Sequence, residues 1–248
     1  MTIAWDDEGV VLAARPHGES GLILSALTFA HGRHAGWVAA GSSRAKRPLF
    51  QPGNRLALNW QARLADDLGR FAAEPVELVA SRLLDAAPRL QAASAVCAVL
   101  ETALPERVPQ PALYPPFVAL LRTLATGAAW YGPFLAFERF LLEETGFAMD
   151  LERCAVTGSI DDLAFVSPRT GRAVARGAAP TFEARLLPLP DCFQAGGEPS
   201  AAAFVAGLRL TGHFLERHVY HAVDRPLPAA RLRLLQLAEE ALNRGVDP

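Results

Sequence analysis

Between Gly9 and about Val79 the apolar residues come in short runs broken by turn residues, and past Pro75 they recur at helical spacing instead. That change of period restricts the chain to a small all-β module followed by a helical one. Gly9 to Arg15, Leu22 to Thr28 and Arg33 to Ala39 read as the first three strands, with His17-Gly18 and His31-Gly32 at the turns between them. A second pair, Arg55 to Ala62 and Arg70 to Glu77, follows the segment Gly41 to Gly53, whose small, basic and proline residues oppose strand pairing. Five strands in so short a stretch suit a small closed barrel.

Beyond residue 80, Leu83, Leu90, Val96, Val99 and Leu100 fall on alanine-rich stretches bounded by Pro88 and Pro105. Pro109, Pro111, Pro115 and Pro116 interrupt the chain before Phe117 to Thr126. Pro133 suits the first turn of a helix running to about Thr145, with Phe134, Phe137, Phe140 and Leu141 on one apolar face and Gly146 as its C-cap. Residues 150–199, broken by Gly158, Pro168, Gly171, Gly177, Pro180, Pro188 and Pro190, read as an irregular insertion. Helices over about Ser200 to Val223 and Pro228 to Arg244 complete a bundle. The expected class is α+β multidomain: a β-barrel over 1–80, and a helical domain over 81–248 that carries the insertion.

A hydrophobic fraction of 51%, 20% charged residues and a mean hydropathy of +0.16 exclude an intrinsically disordered chain. With 24 Lys and Arg against 26 Asp and Glu, the net charge of −2 supplies no global field to hold a polyanion, so any such site must be local. Three separated cysteines, Cys97, Cys154 and Cys192, suit free thiols in a reducing compartment. The acidic start, Met1 to Glu8, lacks the order of a secretion signal, and no apolar run approaches the roughly 18 residues of a membrane span. A cytoplasmic protein is expected.

The local site that stands out is Gly41-Ser42-Ser43-Arg44-Ala45-Lys46-Arg47-Pro48, three cations and two hydroxyls between the third and fourth strands. Arg44, Lys46 and Arg47 could neutralise phosphates while Ser42 and Ser43 donate hydrogen bonds to them. A solvated surface loop is the plainer alternative. Arg33, Arg55 and Arg63 are supporting candidates, because in a five-stranded oligonucleotide-binding barrel such strands border the groove that follows a single strand. Trp37 and Trp60 offer stacking faces there, or else belong to the barrel core.

Signs of covalent chemistry are missing. Gly18-Glu19-Ser20-Gly21 and Gly41-Ser42-Ser43 lack the spacing of a nucleophile elbow, and neither a Walker loop nor a dinucleotide fingerprint occurs. His213, His218 and His221 are scattered around a helix without supporting ligands, and Asp161-Asp162 and Glu143-Glu144 read as solvated pairs. A non-enzyme without catalytic residues or cofactor is expected, with a serine hydrolase using Ser20 or Ser42 as the remote alternative.

Two blocks resemble a known family. The first is Val10-Val11-Leu12-Ala13-Ala14-Arg15-Pro16-His17-Gly18-Glu19-Ser20 with Thr28, Gly32-Arg33 and the basic loop. The second is Phe137-Glu138-Arg139-Phe140-Leu141-Leu142-Glu143-Glu144-Thr145-Gly146-Phe147 with Leu151-Glu152-Arg153-Cys154. In order and spacing they are similar to the RecO recombination mediators of DNA repair. That resemblance implies an N-terminal OB-fold barrel joined to a helical domain with a small zinc-ribbon-like insertion. It also implies binding to single- and double-stranded DNA, annealing of complementary strands, and help in loading a RecA-type recombinase onto strands coated by single-strand-binding protein. The implied partners are DNA, RecR and the coating protein's acidic C-terminal tail, and the implied location is cytoplasmic and nucleoid-associated.

The departure concerns zinc. Where many family members carry two cysteine pairs, Cys154 is followed three residues later by Thr157, and Thr170-Gly171-Arg172-Ala173-Val174 holds no cysteine. The insertion is therefore expected to keep its shape without metal. For the acidic tail, Phe134, Phe137, Leu141 and Arg139 offer either a cation-rimmed apolar pocket or packed core. A second class of function also fits the near-zero net charge: an adaptor whose barrel binds another protein and touches DNA little.

Overall fold

The computed structural model describes residues 2–180, 183–194 and 198–245. It divides into two compact units, residues 1–128 with 228–231 and residues 129–227 with 232–248.

The first unit begins with five strands, β1 (Ile3–His17), β2 (Gly21–Thr28), β3 (Gly32–Val38), β4 (Arg55–Ala62) and β5 (Arg70–Glu77). They pair in the order β1-β2-β3-β5-β4, and β4 returns to β1, so the sheet closes on itself. A bulge between Val11 and Ala13 bends the long first strand, which lets its first half pair with β4 and its second half with β2. Along β4 the alternation is nearly perfect: Leu56, Leu58, Trp60 and Ala62 are buried while Ala57 and Gln61 are exposed. These inward residues join Val11, Leu22, Leu24, Val38, Phe50 and Phe71 in one core.

Two glycines make room for two of the three tryptophans of this sheet, Trp60 and Trp37. Gly69 holds φ +65°, and a Cβ there would lie 2.4 Å from the Trp60 ring. A Cβ on Gly21 would lie 2.4 Å from Trp37 Nε1.

Strand one extends six residues before the expected Gly9, because Ile3 to Glu8 pair with Leu58 to Ala62 and Ala57 in spite of their acidic character. After β5 come a 3-10 turn at Ala80–Leu83 and helices α1 (Ala87–Ala103) and α2 (Tyr114–Thr126), the latter ended by Gly127 at φ +77°.

In the second unit, α3 (Tyr131–Glu144) packs on α4 (Ala201–Phe214), which continues through a wider π-type turn over Leu215–Tyr220. Ser200 caps α4 by accepting the Ala203 amide at 3.2 Å. Glu138 is only 2% exposed, and Thr211 donates its hydroxyl to Glu138 Oε2 at 2.6 Å. Phe134, Phe137 and Leu141 are buried, so these three are core and Arg139 alone of the expected tail pocket is exposed.

The stretch expected to be irregular holds a small antiparallel sheet of β6 (Leu163–Val166), β7 (Ala173–Ala175) and β8 (Leu187–Pro188), in the order β7-β6-β8. Strands of four, three and two residues are too short to display a period in sequence. The last helix, α5, spans Ala229–Arg244. Among the described residues, no helix is long and apolar enough to cross a membrane.

Candidate nucleic-acid interface

The cationic segment after β3 is a series of tight turns fastened at both ends. At its start the Ser42 amide donates to Ser20 O at 3.0 Å. Further on, Ser43 O accepts from the Lys46 and Arg47 amides at 3.1 and 2.9 Å, and Leu49 N donates to Lys46 O at 2.9 Å. Pro48 opens a 3-10 turn over Arg47–Phe50, and the Phe50 side chain is driven into the core.

Asn54 holds the far end. Its Nδ2 donates to Pro48 O at 2.9 Å and Leu49 O at 3.0 Å, while its Oδ1 accepts from Ala80 N at 2.9 Å. With 1% of its surface exposed, its side chain acts as an internal staple rather than a loop decoration.

This scaffold leaves Arg44, Lys46 and Arg47 exposed, with no carboxylate in ion-pair reach among the described residues, and Ser42 and Ser43 half-buried beside them. Arg63, at the end of β4, is likewise exposed and without an ion pair among them. A phosphate meeting these groups releases counterions without displacing a protein carboxylate.

Arg33 and Arg55 are placed differently. Arg33 Nε donates to Leu104 O at 2.8 Å and its Nη1 meets Glu106 at 3.0 Å. Arg55 reaches Glu8 at 2.7 Å and Glu77 at 3.0 Å, with 13% of its side chain exposed. Burial by itself would lower the Arg55 pKa, but the bonds to Glu8 and Glu77 outweigh it and raise it. For Glu77 burial pulls upward, and Arg122 and Arg55 together bring the net shift down. These two arginines are structural cross-braces, brought by the fold to carboxylates rather than to the loop.

The two tryptophans also part company. Trp60 is 1% exposed and donates Nε1–H to Leu68 O at 3.1 Å, which makes it core. Trp37 is half-buried, and the Arg70 guanidinium lies 4.9 Å from its ring centroid. Arg70 escaped the sequence reading, because only the parallel pairing of Trp37 with Arg70 across β3 and β5 brings the two together.

Close to Trp60 an aromatic group lines the closed sheet. Trp5 stacks on His31 at 4.0 Å and on Trp60 at 5.6 Å, and His34 meets Trp60 edge-on at 4.8 Å. His34 is 4% exposed, and burial, helped by Arg107 and His31, pushes its pKa down to about 4.

In the second unit, the residues do not fit a zinc ribbon. The Cys154 sulfur accepts the amides of Val156 at 3.4 Å, Thr157 at 3.5 Å and Ala175 at 3.2 Å. Burial pushes this thiol up, yet the Ala175 amide and the Thr157 and Val156 groups bring it down to about 7. Ala175 thus meets the sulfur through backbone and Thr157 through both backbone and side chain, and among the described residues no group of three or more His, Cys, Asp or Glu could hold a metal. His213 contacts Pro168 O at 3.1 Å, and His218 stacks on Phe147 at 3.7 Å, so these two serve packing, while His221 is exposed.

In comparison with known proteins, the family model Recombination protein O N terminal matches residues 1–79, and Recombination protein O C terminal matches residues 85–227. A DNA repair protein RecO of Cereibacter sphaeroides is 48% identical over 238 residues, covering 96% of this chain and 99% of its own. One from Rhodospirillum rubrum is 47% identical over 241 residues, covering 94% and 96%, and one from Phenylobacterium zucineum is 48% identical over 238 residues, covering 96% and 98%. The chain therefore belongs to the RecO family of recombination and DNA repair proteins.

Proposed function

We propose that this chain is a non-enzymatic recombination mediator that binds single- and double-stranded DNA through its N-terminal unit. The observation that carries this reading is the stapled turn system that keeps Arg44, Lys46 and Arg47 exposed and clear of carboxylates while Arg33 and Arg55 are neutralised by the fold. The strand order β1-β2-β3-β5-β4, returning to β1, supports an OB-fold barrel, a module that presents groove cations and aromatic faces to a single strand. The domain reading is an OB-fold over 1–80 and a helical domain over 81–248, with a metal-free, degenerate zinc-ribbon-like insertion at 150–199.

Exposed cations on ordered turns bring two polyanions together, and contacts to phosphate alone let strands exchange as pairing proceeds. Annealing of complementary strands follows from that chemistry without a covalent step. Loading of a RecA-type recombinase onto strands coated by single-strand-binding protein, and partnership with RecR and the coating protein's acidic tail, are the roles the family suggests in the cytoplasm at the nucleoid. Arg139 remains the exposed cation for the tail, without Phe134, Phe137 or Leu141 as its pocket.

The adaptor reading draws support from the acidic outward positions Asp6, Glu8 and Glu74 of neighbouring strands, which repel phosphate. Salt titration of DNA binding separates the two. Replacing Arg44, Lys46 and Arg47 together by alanine should weaken binding to both strand forms and flatten the salt slope by roughly two to three units. Unchanged affinity and slope in that variant refute the site, and DNA-independent association with a partner through the β1-β4-β5 face would favour the adaptor.

A further inference from the structure

Next to the cationic turns, a cleft of about 580 Å³ opens in the first unit between β1, the Ser42 to Pro52 segment and α1. Its size lies within the roughly 300–1,000 Å³ of small-molecule sites and leaves ample room for one nucleotide. The depth comes from small side chains on facing elements: Ala13 and Ala14 on β1, and Ser94 and Ala98 one turn apart on α1. Leu12 and Phe50, 2% and 3% exposed, back the cleft, and the more open Pro16 and Pro52 give it an apolar wall.

The polar groups are arranged by depth. Glu101, one turn past Ala98, has 13% of its side chain exposed and sits inside, while Arg15 is 61% exposed and sits at the mouth. They are joined at two points, Nη1 to Oε1 at 2.6 Å and Nη2 to Oε2 at 2.9 Å. That fork uses two of the five N–H groups of Arg15 and fixes its plane; unlike Arg33 and Arg55, 17% and 13% exposed, Arg15 keeps its other N–H groups open to an incoming anion. Arg47 of the cationic turns lines the same cleft, which places a second cation beside it.

An apolar wall, an inner carboxylate able to accept from base N–H groups, and an outer pair of cations match the parts of one nucleotide: ring, base edge and phosphate. We propose that this cleft takes a single unstacked nucleotide of single-stranded DNA, its phosphate at Arg15 and Arg47 and its base against Pro16 and Pro52 with an edge toward Glu101. The proposal rests on the DNA-binding reading above and goes further, because a paired and stacked base cannot enter without first leaving the duplex, at a cost of about a few kcal/mol. The cleft is therefore a device for distinguishing single from double strands, whereas the exposed turns accept both.

Ala98→Phe fills the cleft without altering charge, and Ser94→Leu does so from one turn earlier should the first variant melt early. Fluorescence anisotropy with a labelled oligothymidylate and a labelled hairpin duplex reads affinity, and an oligonucleotide carrying one 2-aminopurine reports a base leaving the stack. The expected result is about a tenfold loss of single-strand affinity, unchanged duplex binding and loss of the 2-aminopurine response. Equal loss on both DNA forms in a folded variant, or no loss on either, overturns the proposal. Binding of free dAMP as tightly as the oligonucleotide also overturns it, by making the ligand a free nucleotide. Retained duplex binding in the filled variant leaves the DNA-binding reading intact, while that reading fails separately if the Arg44, Lys46 and Arg47 variant binds duplex normally.

Discussion

Arg55 and Glu77 face each other across β4 and β5 at 3.0 Å, and the same guanidinium reaches Glu8 on β1, so one side chain ties three neighbouring strands. Removing it leaves Glu77 at 15% exposure with Arg82 and Arg122 as its remaining ion-pair partners among the described residues. Arg55→Met should cost about 2 kcal/mol in urea unfolding and leave the salt slope of DNA binding unchanged. A fall in slope with unaltered stability would instead return Arg55 to the phosphate contacts.

Trp37 and Trp60 should separate stacking from folding. Trp37→Ala removes a half-buried ring and is expected to weaken single-strand binding about tenfold, roughly 1.4 kcal/mol for one stacked base, with little change in melting temperature. Trp60→Ala opens the core and should cost about 3–5 kcal/mol of stability. Thermal melts read beside anisotropy decide between these outcomes.

His34 gives acid sensitivity with a definite sign. Its folded pKa of about 4 lies below the ordinary value of 6.5, so the unfolded chain takes up the proton first. The contribution is complete above pH 6.5 and is lost progressively as pH falls from 6.5 toward 4, on the order of 3 kcal/mol. Urea midpoints measured across that window should fall with pH in the protein and fall less steeply in His34→Phe.

Cys154 is held by three amides where a zinc ribbon would use further ligands. Metal analysis of purified protein should find no stoichiometric zinc, and a chelator should leave its melting curve unmoved. Cys97, pushed by burial to about 12, should resist thiol reagents in the folded state and react on unfolding.

The strands β4 and β5 could be read residue for residue because their ends are marked by turn residues, and in β4 the inward positions alternate strictly. The first half of β1 could not, since Asp6, Asp7 and Glu8 carry no apolar alternation and owe their strand conformation to pairing with Asn59, Leu58 and Ala57. The cationic turns were visible as composition. The fate of Arg33 and Arg55 was not, because Glu106 lies 73 residues from Arg33, and Glu8 lies 47 from Arg55. Arg70, Asn54 and Glu101 were hidden for the same reason: their roles are set by long-range register and by helix docking, which local spacing does not encode.

The ring of strands closes between β3 and β5 through a single parallel pair, Trp37 with Arg70, supported by the Trp37 amide on Gly69 O at 3.0 Å. Every other seam carries a ladder of seven or more pairs. In hydrogen exchange this junction should be the first of the five to lose protection, so the sheet breathes at the place where a cation covers the half-buried Trp37. A strand of DNA stacked there would act as a clasp, slowing exchange along β3 and β5 while leaving the β1-β4 ladder as it was.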